Sequence, residues 1–319
     1  MTPYGYPSEL YHCLLDEQPY YLIPLRLLPQ YVPDQEYIVN PNCWFSWHGP
    51  LMPDKAVRAN WIEDLCPSDH IVWVDDPATG IIWPFWVGEE YLSYLSQLAP
   101  GYPVTFDMPE HAKWVLMCAN IFTTPNWTAH RRHDWMEVVH DTAASFQRGY
   151  VPVSGLIHPF HVGALRRYYR YQVRTGAFKF GDGQVSRRYA EHNEKVTRFF
   201  HHQLTGAISA VARTVLKPSY SYFVAYQGGS ELHRHTDRAQ CDYSITLCID
   251  ASPEPEDVSP WPIDLWTQDG VSQVWQHLGD ALIYRGMQVP HSRGRLEDGC
   301  TSSSMLLHYV TEDFQGSLT

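Results

Sequence analysis

The last hundred or so residues of the chain have the two-residue period of β-strands. After Lys217 and Pro218, short segments rich in β-branched and aromatic residues are separated by clusters of Gly, Pro, Asp and Ser. Six such segments cover residues 220–226, 242–249, 262–266, 271–276, 281–284 and 304–310. Because no helical spacing intervenes, they predict an antiparallel sandwich or barrel of the jelly-roll type.

The preceding region has the spacing of helices. Arg166, Arg170 and Arg174 follow one another at intervals of four residues, and residues 194–211 form a second amphipathic stretch. We therefore expect helices from residue 159 to residue 212. Together the two regions predict an α+β fold in which helices precede a jelly-roll core.

The N-terminal part of the chain follows neither period for long. Residues 1–60 are rich in Pro and aromatic side chains, which predicts an extended arm that packs on a larger body. Residues 70–74 and 80–87 flank a turn signal and predict a hairpin, with a helix over residues 89–98. We expect residues 1–150 to be an aromatic-rich extension for substrate recognition or assembly, and residues 151–319 to hold the helices and the β core.

Composition narrows the classes of function. The 319 residues carry a net charge of −12, which disfavours a nucleic-acid-binding face. The sequence has no apolar run long enough to span a membrane, and its first six residues lack the pattern of a secretion signal. The seven cysteines are odd in number and form no CxxC pair, which is typical of a reducing cytosol. We therefore expect a cytoplasmic protein.

The candidate chemistry lies in the predicted β region. His235 and Asp237 form an HxD pair, whose side chains lie on one face of an extended segment. His291 follows 54 residues after Asp237, at the far end of a predicted strand, so several short strands return it beside the pair. Two histidines and one carboxylate form the facial triad that binds non-haem Fe(II). Zinc accepts the same ligands and is the alternative metal.

These motifs resemble those of the Fe(II)- and 2-oxoglutarate-dependent dioxygenases, most closely the prolyl-4-hydroxylase-like branch. The resemblance covers roughly residues 200–310 and depends on Tyr-x-x-Gly-Gly-x-x-Leu-x-x-His-x-Asp at 226–237, Gly-Asp-Ala-Leu-Ile-Tyr at 279–284, and His291. It implies a double-stranded β-helix with His235, Asp237 and His291 as iron ligands. It also implies that Tyr226, nine residues before His235, helps to hold the co-substrate 2-oxoglutarate.

The sequence departs from the family at the anchor for the distal carboxylate of 2-oxoglutarate. In the family that the motifs resemble, a Lys or Arg often stands about ten residues after the second ligand histidine, but that window here reads Thr301-Ser302-Ser303-Ser304. A guanidinium suits a carboxylate because it donates two parallel hydrogen bonds. We expect Arg293 to be the anchor, with Arg295 as the next choice and Arg285 and Arg238 behind them.

The function predicted by this resemblance is hydroxylation of an unactivated C–H bond, with Fe(II), 2-oxoglutarate and O₂. The expected substrate is an amino-acid-derived metabolite or a peptide. Nine of the 23 basic residues fall between residues 166 and 198. This concentration of charge is typical of a solvated helix face, and the alternative is a docking site for an acidic carrier protein that bears the substrate. The alternative functions are a non-oxidative zinc or cupin-type enzyme and a non-catalytic jelly-roll binding domain.

Overall fold

The computed structural model describes residues 11–15, 36–48 and 70–319. They divide into one unit formed by the residues up to 138 together with 158–168, and another formed by residues 139–157 and 169–319. Most of the arm predicted for residues 1–60 lies outside the described residues.

The first unit contains the predicted hairpin. Strand β1 (Ile38–Val39) pairs with β5 (Phe122–Thr123), and β2 (Cys43–Phe45), β3 (Ile71–Asp75) and β4 (Ile82–Trp86) form an antiparallel sheet. Both long strands of that sheet are apolar and almost wholly buried. Helices α1 (Glu89–Leu95) and α2 (Glu110–Cys118) follow, so the predicted hairpin and the helix after it are confirmed.

Two longer helices continue the chain, α3 (Pro125–Ser145) and α4 (Pro159–Thr175), with β6 (Tyr150–Val153) between them. The second unit then contains α5 (Lys195–Gln203), α6 (Thr205–Ala212) and the remaining strands. These strands are β7 (Lys179–Phe180), β8 (Arg188–His192), β9 (Leu216–Gln227), β10 (Leu232–His235), β11 (Tyr243–Ser252), β12 (Ile263–Thr267), β13 (Gly270–Val274), β14 (Ala281–Arg285), β15 (His291–Arg293) and β16 (Thr301–Thr311). All six strands predicted after Lys217 are confirmed.

The second unit is built from two antiparallel sheets. Seven strands follow the order β6-β14-β11-β16-β9-β8-β7, and four follow the order β10-β15-β12-β13. A buried apolar cluster joins the two sheets, with Leu282 and Tyr284 from the larger sheet and Ile263, Leu265 and Val274 from the smaller. The fold is therefore α+β with antiparallel sheets.

The two faces of β16 contact different parts of the fold. Ser304, Leu306 and His308 line a cavity on one side, whereas Leu307 and Tyr309 are buried on the other. The helices pack on the second face: the Tyr309 hydroxyl donates to the carbonyl of His201 in α5. Because helices and the smaller sheet cover opposite faces, the central strands are buried along nearly their whole length.

The prediction of helices from residue 159 to residue 212 is confirmed at α4, α5 and α6 and is wrong between Lys179 and His192. Residues between Lys179 and His192 form the β7–β8 pair, and Gly181 in their turn has φ +74° with the backbone of Ser186 too close for a side chain. The stretch 194–211 is two helices that meet at Leu204. There the carbonyl of His201 accepts hydrogen bonds from the hydroxyls of Tyr309 and Thr205. In a continuous helix this carbonyl would accept from the backbone N–H of residue 205, so the two hydroxyls compete with the helical hydrogen bond.

In the part of the chain that the structure describes, no helix is long and apolar enough to cross a membrane.

Replacement of Leu247 by Ala should destabilise the second unit. Leu247 is fully buried in the middle of β11, so the truncation leaves a cavity and should lower the free energy of unfolding by about 2–5 kcal/mol. Val271→Ala is the matched control, because Val271 lies half exposed on the edge strand β13. Urea denaturation monitored by fluorescence measures both changes. Equal stabilities of the two variants would contradict the assigned core.

Candidate metal centre and cavity

The pairing of β10 with β15 brings the two predicted histidine ligands together. In this antiparallel pair His235 lies directly opposite His291, and their ring centroids are 4.3 Å apart. Opposite residues of such a pair have side chains on the same face of the sheet. The register of two very short strands therefore produces the first two positions of the centre.

Asp237 completes the group two residues beyond β10. Its backbone N–H donates to the carbonyl of Gly286 at 2.9 Å, which fixes the backbone where the carboxylate turns inward. Its Oδ1 lies 3.7 Å from Nε2 of His235 and 3.6 Å from Nε2 of His291. One ligand atom from each of the three residues lies within 4.8 Å of the other two, so the structure places the predicted triad around one point.

Backbone carbonyls orient both imidazoles. Nδ1 of His235 donates to the carbonyl of His233 at 2.8 Å, and Nδ1 of His291 donates to that of Val289 at 3.1 Å. A neutral imidazole that donates through Nδ1 has its lone pair on Nε2. Burial lowers the pKa of His291, which favours this neutral form, while the nearby Asp237 carboxylate acts in the opposite direction. Two Nε2 lone pairs and one carboxylate oxygen thus converge, which is the donor set that a divalent cation requires.

Gln184, on the exposed turn between β7 and β8, also contacts the triad. Its side-chain amide donates to Nε2 of His235 at 3.1 Å, and its Oε1 accepts from Arg188 at 3.1 Å.

Asp237 is also held on the side away from the two histidines. The Ser244 hydroxyl donates to Oδ2 of Asp237 at 2.7 Å and accepts from Nδ1 of His308 at 2.9 Å. Burial lowers the pKa of His308 to about 4, so this ring is neutral and donates reliably at neutral pH. Ser244 and His308 therefore direct Oδ1 of Asp237 toward the histidines.

Gly286 is required for this packing. A Cβ at this position would lie 2.4 Å from Oδ2 of Asp237 and 2.6 Å from Oγ of Ser244. Both distances are far below van der Waals contact, so a side chain here would displace the carboxylate.

A second group of three, Asp237, Cys241 and His308, also lies within 4.8 Å. Its donors fit a metal poorly. Burial raises the pKa of the Cys241 thiol to about 12, so the sulfur stays protonated, whereas a metal binds the thiolate. His308 already uses Nδ1 to donate to Ser244. Among the described residues, the first triad is the better metal site.

The triad opens into a cavity of about 390 Å³, a size typical of small-molecule sites. Polar, aromatic and apolar side chains line it: Asp182, Gln184, Arg188, Tyr220, Tyr222, Tyr226, Leu232, Thr236, Arg238, Thr246, Ile263, Tyr284, Arg293, Ser304, Leu306 and His308, with the triad itself.

Arg293 supplies a buried positive charge to this cavity. Its guanidinium donates to the Trp261 carbonyl at 2.5 Å and stacks over the Trp261 ring. No carboxylate of the described chain lies within ion-pair distance of it, although the side chain is buried. Ser304 Oγ, which lines the same cavity, is buried and has no hydrogen-bond partner among those residues. A buried cation without an acidic partner and an unpaired hydroxyl in one cavity fit an anionic ligand.

The other residues predicted for the co-substrate lie in different places. Tyr226 lines the cavity, stacks edge to face on Trp261, and accepts a hydrogen bond from Arg188 at 3.0 Å. Arg295 is exposed, pairs with Asp298 at 2.8 Å, and does not line the cavity. Arg285 pairs with Asp242 and is also outside the lining. The structure thus places Arg293, Tyr226 and Arg238 in the cavity of the triad and leaves Arg295 and Arg285 outside it.

Sequence reasoning missed Gln184, Arg188, Ser244 and His308 as site residues. Arg188 pairs with Asp182 at 2.6 Å and belongs to the strand that the spacing had assigned to a helix. Ser244 and His308 meet through the register of β11 and β16, 64 residues apart in sequence. No local sequence motif indicates that these two residues meet.

No protein-family model matches this sequence, and no curated protein matches it. Solved structures do show similarity. A prolyl-4-hydroxylase from Pseudomonas putida is 16% identical with a TM-score of 0.46, covering 55% of this chain and 99% of that one. The non-haem alpha-ketoglutarate-dependent epimerase SnoN from nogalamycin biosynthesis is 12% identical with a TM-score of 0.47, covering 55% and 82%. HygX from Streptomyces hygroscopicus, with nickel, 2-oxoglutarate and hygromycin B bound, is 13% identical with a TM-score of 0.43, covering 55% and 88%.

Replacement of Ser244 by Ala should weaken divalent-metal binding. Without this hydroxyl the Asp237 carboxylate loses its orientation, and loss of such a supporting contact lowers metal affinity about 10–100-fold. The control is Ser221→Ala, because Ser221 is a buried serine on the helix-facing side of the same sheet. Titration with Mn(II), followed by electron paramagnetic resonance of the free ion, measures the affinity. Equal affinities for Ser244→Ala and Ser221→Ala would show that Ser244 does not support the centre.

Proposed function

We propose that this protein is an Fe(II)- and 2-oxoglutarate-dependent oxygenase that hydroxylates an unactivated C–H bond of a small-molecule or peptide substrate. The observation that carries the proposal is the convergence of two Nε2 lone pairs and one carboxylate oxygen within 4.8 Å at the side of a cavity with a buried, unpaired Arg. We further propose that the two sheets of the second unit are the layers of a double-stranded β-helix.

His235, Asp237 and His291 would hold the iron. Two neutral imidazoles and one carboxylate suit Fe(II) and leave positions for co-substrate and O₂. Bound Fe(II), with 2-oxoglutarate and O₂, supplies the oxidising chemistry for C–H hydroxylation. The residues of the chain have the other tasks: they hold the three ligands in register, bind the co-substrate and position the substrate.

Arg293 would bind the distal carboxylate of 2-oxoglutarate. Burying an unpaired guanidinium is costly, and an anionic ligand offsets that cost. Ser304 Oγ is available as a further hydrogen-bond donor, and Tyr226 lies beside Trp261, on which Arg293 stacks. These contacts favour Arg293 over Arg295, whose charge is already paired at the surface.

Among the described residues, all those that line the cavity lie between 182 and 308. We therefore propose that residues 1–150 serve substrate recognition or assembly and that residues 151–319 form the catalytic region. The basic residues between 166 and 198 are partly used within the second unit. Arg170 makes a two-contact pair with Asp250, and Arg188 pairs with Asp182, which leaves fewer charges for an acidic carrier protein.

Turnover of 2-oxoglutarate to succinate tests this function. The full chain with Fe(II), 2-oxoglutarate and O₂ should form succinate slowly even without its substrate, because uncoupled decarboxylation needs only these components. His291→Ala and Asp237→Ala should abolish both iron retention and succinate formation. His233→Ala is the control, because His233 is exposed and does not line the cavity. Retention of iron by both triad variants would contradict the assignment, and turnover supported by Zn(II) but without succinate would favour a non-oxidative zinc enzyme.

Replacement of Arg293 by Gln should weaken binding of 2-oxoglutarate and leave iron binding unchanged. A charge-assisted contact of this kind contributes about 1.5–3 kcal/mol, so the half-saturating concentration of 2-oxoglutarate should rise about 10–100-fold. The initial rate of succinate formation at varied 2-oxoglutarate concentration measures it. Arg295→Gln is the matched control, and an effect of Arg295→Gln without one of Arg293→Gln would move the anchor to Arg295.

A further inference from the structure

The cavity has two ends, which the register of β9 and β16 defines. Alternate residues of β9 line it, with Tyr226 toward one end and Tyr220 toward the other. Six residues of an extended strand separate these two tyrosines by about 20 Å. Tyr226 lies beside Trp261 and so belongs to the end of Arg293. The Tyr220 end is therefore free for a second ligand when 2-oxoglutarate occupies the Arg293 end.

Arg238 lies at the Tyr220 end and is exposed, so it stands at the mouth of the cavity. Its Nη2 donates to the Tyr220 hydroxyl at 2.8 Å, and its guanidinium carbon lies 5.2 Å from the Tyr220 ring centroid. This contact fixes the guanidinium in place. Arg238 directly follows Asp237 in the chain, and both residues line the cavity.

The charge of Arg238 is not compensated within the part of the chain that the structure describes. No ion pair forms between Arg238 and a carboxylate there, whereas Arg188, the neighbouring Arg of the lining, pairs with Asp182 at 2.6 Å. The chain has a net charge of −12, yet this Arg at the cavity mouth has no acidic partner in that described part. Its charge therefore favours binding of an anion.

Two groups around Arg238 are neutral. Burial raises the pKa of the Tyr220 hydroxyl. His192 lies against the Tyr220 ring, and its pKa is lowered by burial and by the charge of Arg238. The mouth therefore bears the positive charge of Arg238 and neutral hydrogen-bonding groups, while the carboxylate of the preceding Asp237 faces the two histidines of the triad.

The same cavity also has an aromatic and apolar part. Tyr222 and Leu306 lie opposite each other on β9 and β16, and Leu232 of β10 lines the same cavity. A substrate whose carboxylate binds Arg238 can therefore place its carbon skeleton against apolar surface.

We propose that Arg238 and Tyr220 bind a carboxylate of the substrate, and that the substrate class is therefore an acid with an apolar body. The inference rests on the proposed function, because it assumes that 2-oxoglutarate fills the Arg293 end. Arg238 is then a specificity-determining residue: it distinguishes acids from the corresponding amides and places the carbon skeleton at the metal.

The test compares 3-phenylpropionate with 3-phenylpropionamide, two probes of equal shape that differ in charge. The full chain is loaded anaerobically with Fe(II) and saturating 2-oxoglutarate, and the visible absorption of the Fe(II)–2-oxoglutarate complex is followed as each probe is added. The acid should bind about tenfold or more tightly than the amide, the difference expected for one charge-assisted contact. Arg238→Gln should remove this preference and leave amide binding unchanged, and Arg238→Lys should keep part of it.

Arg234→Gln is the matched control, because Arg234 is an exposed Arg four residues earlier that stacks on Trp266 and does not line the cavity. It should behave as the unmodified chain. Failure of the acid to bind, equal binding of acid and amide, or an acid preference that survives in Arg238→Gln would overturn the proposal. Absence of the Fe(II)–2-oxoglutarate absorption before any probe is added would instead refute the proposed function, so the two failures are distinguishable.

Discussion

The pairing of His235 with His291 across two short antiparallel strands is the constraint on which the candidate centre depends. A shift of one residue in this register would send one imidazole to the other face of the sheet, because side chains alternate along a strand. The hydrogen bond from Asp237 to Gly286 then positions the carboxylate against the pair. Since both imidazoles donate through Nδ1 to backbone carbonyls, both Nε2 lone pairs and the Asp237 carboxylate face one another. Under the proposed function, a divalent cation would bind between them.

Other residues of the cavity support this point. Ser244 and His308 hold the carboxylate on the side away from the histidines, and Gly286 leaves the space that it needs. Arg293 is buried and Arg238 is exposed, and both line the cavity. Under the proposed function, the buried guanidinium would bind the co-substrate and the exposed one the substrate.

Much of the fold and of the centre could be predicted from the sequence, because both follow local rules. The two-residue period identified the strands after Lys217, and the HxD pair with His291 identified the triad, since its spacing reflects strand geometry. The β7–β8 pair was missed because its strands are short and its charged residues mimic a helix face. Residues 188, 244 and 308 reach the site only through tertiary pairing, for which a single sequence holds no local signal.

The departure from the family pattern shows the same limit. The window at residues 301–304 lacks a base, and spacing alone left several arginines as alternatives for the anchor. Burial and ion pairing separate them: Arg295 is paired with Asp298 at the surface, whereas Arg293 is buried in the cavity without an acidic partner among the described residues. These properties belong to the folded chain and not to the order of its residues.

The assignment of His235, Asp237 and His291 as iron ligands is tested most directly by anomalous diffraction at the iron absorption edge. The crystals contain the full chain and are soaked anaerobically with Fe(II) and 2-oxoglutarate. We expect one peak within bonding distance of Nε2 of His235, Oδ1 of Asp237 and Nε2 of His291, with electron density for 2-oxoglutarate that reaches Arg293. A peak at the neighbouring group of Asp237, Cys241 and His308, or iron bound elsewhere while the triad stays empty, would contradict it.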